Sequence, residues 1–492
     1  ILSIPAQVLR AGATGLNVDF IGRNIVRDTI FAGISSKYWF IPFVDSIKGL
    51  AHILKKDEIF QSFLYSGGGD SELVSTDRSR IQRYQRNLLQ QSGELNVLNI
   101  VRHPIDFIRL LGEYSELATR VGVHEKALKK EGDSVSGRML AGLASRETTV
   151  DFSRMGTNVG NINKAIAFFN SALQGGDVLV RAAMRDKGKF ALRAIMYITL
   201  PSILTYLLNR DDEEYEEIPQ YQKDTFWLFK IGGQWWRIPK PFEMGMMFGS
   251  LVERFLAYTD KEDPHALDGW AEQLKDTALP DIIPTALLPL IEVWTNHDMF
   301  RNIPVIPQGD EYKKPADQYG PYTSSLAKTL GKVFNYSPYK IDHLIKGYGA
   351  GVGQNISNIA SKGLELTGIA EKKTEPDKPL SQELPIIRGL TVDPQRSSKS
   401  VSDFYDRLNE LEDDYKQMRD SDGIELNQYP KRKELRAMRK AQMELRDLRK
   451  EYKEVYADNK MDAKTKREKL SKINLERINV ARKALGKPKI RE

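Results

Sequence analysis

The 492-residue sequence contains no cysteine. That absence excludes disulfide frameworks, thiolate metal sites and cysteine nucleophiles together, so the fold rests on packing alone. A thiol-free chain suits a reducing cytosol, and equally a particle that crosses compartments of different redox state. Histidine is nearly as scarce. The six present, His52, His103, His124, His265, His297 and His343, never fall at helical ligand spacing, and His124-Glu125 lacks the second histidine of a zinc protease. No glycine cluster is followed by Lys-Ser or Lys-Thr at P-loop spacing, and long strand-like alternation is missing. No catalytic residue, metal ligand or cofactor is assigned, and the chain is expected not to be an enzyme.

What is present reads as folded protein, with 41% hydrophobic and 28% charged residues, enough to bury a sizeable core. The chain starts at Ile1 with no basic-then-apolar signal pattern after it, which reads as a processed product or a segment of a longer polypeptide. The net charge of +7 is unevenly spread. Residues 431–492 hold 22 basic and 10 acidic side chains, a net of +12, which leaves −5 for the first 430 residues.

Apolar residues over the first 200 positions recur at helical spacing, broken by punctuation such as SGGGD at Ser66–Asp70. Pro104 and Asp106 mark a helix start, and Ile108, Leu111, Tyr114 and Leu117 form its apolar stripe. The run FALRAIMYITLPSILTYLL, Phe190 to Leu208, is 19 residues long with one charge, close to the roughly 20 that span a bilayer. Arg193 inside it, Pro201 mid-run and the acidic exit RDDEEYEE favour a kinked, buried core helix, with Phe190, Ile195, Ile198 and Leu208 as candidates for conditional membrane insertion. The acidic run Asp211 to Glu217 reads as a solvated loop. A second apolar run, Leu279 to Trp294, is too short and too proline-rich to span. The glycine run GYGAGVG at Gly347–Gly353 follows a helical pattern, not a strand, so close helix packing is expected of it rather than nucleotide binding.

Residues 371–400 mix Pro, Ser and charge without periodicity and read as an extended linker. Beyond it, Phe404, Leu408, Leu411, Tyr415 and Met418, then Met438, Ala441, Leu445, Leu448, Tyr452 and Val455, trace two heptad seams. Residues 401–430 carry 9 acidic and 3 basic side chains, so the two helices are expected to pair antiparallel with opposite charges facing. Asp462 reads as the N-cap of a third helix ending near Gly486. Arg432, Lys433, Arg436, Arg439 and Lys440 are the candidate nucleic-acid contacts of this basic region, although a solvated helical face is the simpler reading.

The segment FWLFKIGGQWWRIPKPFEMGMMFGS, Phe226 to Ser250, holds half of the tryptophans. A two-residue turn at Gly232-Gly233 sets Ile231 opposite Gln234, Lys230 opposite Trp235, Phe229 opposite Trp236, Leu228 opposite Arg237 and Trp227 opposite Ile238. One face then gathers Trp227, Phe229, Ile231, Trp236 and Ile238 and must be buried. The other leaves Lys230, Trp235 and Arg237 as candidate surface contacts. Gly245 and Gly249 on the following helix allow close backbone approach.

NVDFIGRNIVRDTIF, DEIFQSFLYSGGG, TTVDFSRMG, NKAIAFFNSALQGGD, LPSILTYLLNRDD, the tryptophan segment, PTALLPLIE, PYTSSLAKTLGK and SPYKIDHLIKGY occur in this order over roughly residues 10 to 355. Together they resemble the large polyvalent protein-associated domains of giant tailed-bacteriophage proteins. The resemblance implies a protein packaged in the capsid and delivered with the DNA, in some cases an internal virion or ejection protein, with no established active residues.

The expectation is therefore an all-α, multilayer fold with one small β-hairpin at about 225–239. A helical domain would cover 1–370, a linker 371–400, and a charged helical hairpin plus third helix 401–492. The expected role is structural, in the virion interior around the portal–tail axis. Expected partners are copies of itself and core, portal and tail proteins, with DNA or the host membrane as further partners during delivery. A nucleic-acid-binding module of an injected replication or antirestriction protein, or a membrane conduit formed after release, are the alternative readings.

Overall fold

The computed structural model describes residues 18–68, 104–148, 169–278, 287–299, 303–379 and 385–490. His103, the stretch VDFSRMG and the prolines Pro280 and Pro284 lie outside these. The fold is mainly helical, as the 3.6-residue periodicity implies. The first layer comprises α1 (Val18–Ser35), α2 (Val44–Lys55), α3 (Glu58–Tyr65), α4 (Pro104–Glu131) and α5 (Val135–Arg146). Helix α4 begins at Pro104, where a missing N–H costs nothing. Its Tyr114, Leu117 and Val121 close a core with Ile53, Phe60 and Phe63. Helices α2 and α4 cross where each carries a glycine. A Cβ on Gly49 would fall on the Ala118 carbonyl, and one on Gly122 on that of Asp45.

Helix α6 (Phe169–Arg185) leads into α7 (Lys187–Asn209), one continuous helix interrupted by a π turn over Ile195–Thr199. Asp186 caps α7 by accepting from the Lys189 N–H. After α8 (Glu213–Glu217) and α9 (Gln220–Thr225) the chain forms a hairpin from β1 (Phe226–Ile231) and β2 (Gln234–Pro239). Gly232 and Gly233 turn it at φ of 60° and 77°, conformations open to glycine. All five expected pairs, from Trp227 with Ile238 to Ile231 with Gln234, are formed. Helix α10 (residues 242–260) has its own π turn over Met246–Ser250.

Helices α11 (Trp270–Ala278) and α12 (Leu288–Thr295), a two-residue ladder of β3 (His297–Asp298) with β4 (Ile303–Pro304), and helices α13 (Ser325–Phe334) and α14 (Pro338–Leu366) follow. The glycine run lies on α14. There Gly347 packs against Pro289 of α12, whereas Gly349 faces open space. Only part of the expected close packing is thus realised among the described glycines.

The segment expected to be an extended linker contains α15 (Pro385–Arg388) and β5 (Thr391–Val392). Strand β5 pairs with β2, opposing Val392 to Trp235 and Thr391 to Trp236. A two-residue strand is too short to leave a periodic signature. Thr374 also binds Asn459 through both its N–H and its hydroxyl, so the segment is docked at two places.

The C-terminal helices are α16 (Lys399–Asp422), α17 (Arg432–Ala457) and α18 (Ala463–Ala484). Phe404, Leu408, Leu411, Leu435, Met438, Ala441 and Leu445 are buried along the shared seam, with Tyr429 and Ala481 closing it. Charges face across α16 and α17 as expected: Arg407 meets Glu434 at 2.8 Å, Lys431 meets Asp414 at 3.1 Å and Arg439 meets Glu412 at 2.7 Å. Asp462 caps α18 through the Thr465 N–H, and Gly486 follows its end at φ 73°.

Candidate functional site

Polar chemistry concentrates where the hairpin meets α7 and α10. The two π turns lie against each other: Thr199 Oγ1 donates to the Phe248 carbonyl at 2.8 Å, and a Cβ on Gly249 would sit 2.7 Å from Ser202 Oγ. π turns are rare and recur where a helix must place groups out of regular register. Here they set Ser202 under the hairpin, where it receives the Trp227 indole N–H at 2.7 Å.

Beside this contact two buried ion pairs join α9, α10 and the strand exit. Lys240 Nζ lies 2.7 Å from Glu253 and also donates to the Lys223 carbonyl at 2.8 Å. Arg254 grips both oxygens of Asp224, at 2.9 and 2.6 Å, and its remaining N–H groups reach the carbonyls of Ala266 and Asp268. Ser250 donates to the same Asp224 carboxylate at 2.5 Å. Burial raises the Glu253 carboxyl to about 7, against the opposing pull of Lys240. Each of these four charged groups is used by a neighbour within the fold. The arrangement therefore acts as a clasp.

Of the candidate contacts of the hairpin, Trp235 is drawn into the same interior and its assignment to the surface is corrected, whereas Lys230 stays exposed and Arg237 is half-buried. Trp235 is 2% exposed, its indole N–H donating to Glu214 at 2.8 Å and its ring beside Tyr215 at 5.9 Å. Lys230 lies 5.5 Å over the Trp235 ring and pairs with Glu214 at 2.7 Å, remaining partly exposed. Arg237 donates to the Gly389 carbonyl at 3.0 Å and lies 4.7 Å over the Phe226 ring. On the second face α8 roofs Trp235 while β5 extends the sheet beside β2, whereas at the tip Ile231, expected on the buried face, is 63% exposed. The tryptophan spacing sets the register but carries no trace of that roof.

The acidic run is likewise not a solvated loop throughout. Asp212 caps α8, and Glu217 is buried against Arg482 of α18 at 2.6 Å, with Ser398 and Ser400 donating to it at 2.5 and 2.6 Å. Burial pushes the Glu217 carboxyl up, but these hydrogen bonds outweigh it and hold the group below its usual range. The C-terminal helices are thereby locked onto α8.

Helix α7 departs from the buried core helix expected of it. Among the membrane-insertion candidates, Ile198 is fully buried and Phe190 packs edge-on to Phe248 at 6.0 Å, whereas Ile195 is exposed and Leu208 is 71% exposed. Arg193, the charge that argued against a membrane, faces inward and donates to the Ser36 carbonyl at 2.6 Å. From Phe190 to Asn209 the exposed side is left without charge.

Of the candidate nucleic-acid contacts, Arg432, Lys433 and Lys440 are exposed on α17, Arg436 donates to Asn427 at 2.6 Å, and Arg439 is taken up by Glu412. Among the described residues, no group of three His, Asp or Glu side chains converges as a metal site.

No curated protein and no solved structure matches the chain. Residues 212–386 match the model of the family described as Large polyvalent protein associated domain 38. The match runs from the cap of α8, through the hairpin, both ion pairs and α14, into α15, and so includes residues 371–386 that composition assigns to a linker. The segment clasped around Trp227 is thus the part of the chain that is similar to a large polyvalent protein associated domain.

Proposed function

We propose that the chain is a non-enzymatic structural segment of a bacteriophage virion, an internal core or ejection protein that assembles with copies of itself around the portal–tail axis and helps deliver the genome. The match over residues 212–386 carries this reading, because such domains resemble parts of giant phage proteins packaged with the DNA. The architecture supports it: the charged groups under the hairpin and at Glu217 are spent on holding elements together. Partners would be the chain itself and the core, portal and tail proteins. Its place would be the capsid interior and then the host envelope or cytoplasm. Mass spectrometry of purified virions tests this; virions that lack the polypeptide would sink it.

A second reading has support from α17, where Arg432, Lys433 and Lys440 point to solvent. They would hold DNA phosphates through salt-sensitive, sequence-independent contact. Unchanged DNA affinity after replacing all three by alanine counts against it. A third reading, a membrane conduit after release, draws on α7, 23 residues long with an 18-residue stretch whose mean hydropathy is 1.5. Liposome leakage that ignores charged substitutions at Ile195 argues against that one.

A further inference from the structure

The outward side of α7 has a regular composition. Leu192, Met196, Leu200, Leu204 and Leu208 recur every four residues and each is between 40% and 71% exposed. A four-residue step overshoots a 3.6-residue turn by about 40°, so four steps would carry the row about 160° around a regular helix. The π turn at Ile195–Thr199 takes up one extra residue, worth about 100°, and returns the row to one side. The result is a continuous apolar ridge.

A second apolar element adjoins it. The loop into α2 presents Trp39, Ile41 and Phe43, and the first turn of α2 adds Val44 and Ile47, all exposed. Arg193 of α7 lies 5.1 Å over the Trp39 ring, and Pro42 and Tyr197 converge on Gly33, so loop and helix share an edge. Phe43 holds φ of 65°, an unfavourable left-handed conformation for a bulky residue. Its N–H is fixed by Thr29 Oγ1 at 2.8 Å, and Asp45 accepts from the Ile41 N–H at 2.8 Å. Local strain is thus held in place where apolar side chains are turned outward.

Together these side chains offer on the order of 1,000 Å² of apolar surface that no described residue covers, against roughly 300–600 Å² for the largest patch on a typical monomer. A stable interface needs about 800 Å² per partner. We propose that this face is where a second copy of the chain docks, ridge against ridge. A row at four-residue spacing packs into the matching groove of an identical helix at a crossing angle of about −50°. A two-fold pair needs such a self-complementary patch. A bilayer fits less well. Helix α7 is keyed to the body by Arg193, Thr199, Ser202 and Asn209, the last donating to the Leu228 carbonyl at 2.6 Å. The inference adds a two-fold pairing to the proposed self-assembly, distinct from the head-to-tail contacts that would build a ring around the axis, and rests on that reading for its setting.

The absence of native cysteine makes the test direct. Leu204→Cys is introduced into the full chain and oxidised at micromolar concentration, with Met443→Cys, exposed on α17, as the control. The expected result is a disulfide-linked dimer for Leu204→Cys and none for Met443→Cys, with wild-type chain sedimenting as a dimer or larger. Leu204→Glu, checked for native circular dichroism, should weaken association by about tenfold or more. A monomeric wild type with no cross-link overturns the proposal, as does binding to phosphatidylcholine vesicles without self-association. Failure here, with the polypeptide present in virions, removes this surface and leaves the virion role. Cross-linking of a polypeptide absent from virions does the reverse.

Discussion

Trp227 donates its indole N–H to Ser202 at 2.7 Å, tying the β-hairpin to the apolar helix α7. Both partners are buried, so the bond has no water to replace it. Ser202→Ala should cost about 1–3 kcal/mol, because it leaves a buried donor unmade. Urea unfolding of the two proteins measures this, and an unchanged midpoint would show that the indole finds another acceptor.

The Lys240–Glu253 pair predicts a specific pH dependence. The folded-state Glu253 carboxyl stands at about 7, above the 4.5 of the free group. Its contribution to stability is therefore full below pH 4.5 and is lost as pH rises through 7, by about 3 kcal/mol. Glu253→Gln should remove this part of the slope. Lys240→Met, which strips a buried carboxylate of its counter-ion, should cost about 3–5 kcal/mol at neutral pH, most of it recovered in Lys240→Met/Glu253→Leu. Thermal melts across pH 4 to 8 of the single and double variants report both effects.

His124 should act with the opposite sign. Burial lowers its imidazole from 6.5 to about 4, where it faces Ser62 Oγ at 3.1 Å and the edge of Phe63. The unfolded chain takes up the proton first. Stability from this group is present above pH 6.5 and declines by about 3 kcal/mol as pH falls to 4. His124→Gln should flatten acid denaturation over that interval, and a slope identical to wild type would contradict the assignment.

Arg482 and Glu217 hold the C-terminal helices to the domain. Removing one partner of such a buried pair costs about 3–5 kcal/mol. Arg482→Ala should therefore expose the segment 371–400 to proteolysis while leaving the α16–α17 pairing intact. Limited trypsin digestion read by intact mass checks this, with cleavage between Lys372 and Lys399 as the expected outcome.

Much of the fold was legible because it depends on local pattern. The hairpin register follows from Gly232-Gly233, the seam through Leu408 and Met438 from heptad spacing, and the start of α18 from Asp462. What was not legible depends on residues far apart in the chain. Trp235 is covered by Val392 and Tyr215, and Glu217 finds its partner at Arg482. Helix α7 misled in the other direction. Hydropathy and Arg193 together suggested burial, but the charge points inward and a π turn keeps the leucines outward, a geometry that composition does not express.

The central claim is a structural role inside the particle, and cryo-electron tomography of intact virions tests it most directly. Imaged with this polypeptide carrying a dense label, full particles should show that label inside the capsid on the portal axis, and particles that have released their DNA should have lost it. A label on the outer shell, or no label in any particle, would contradict the account.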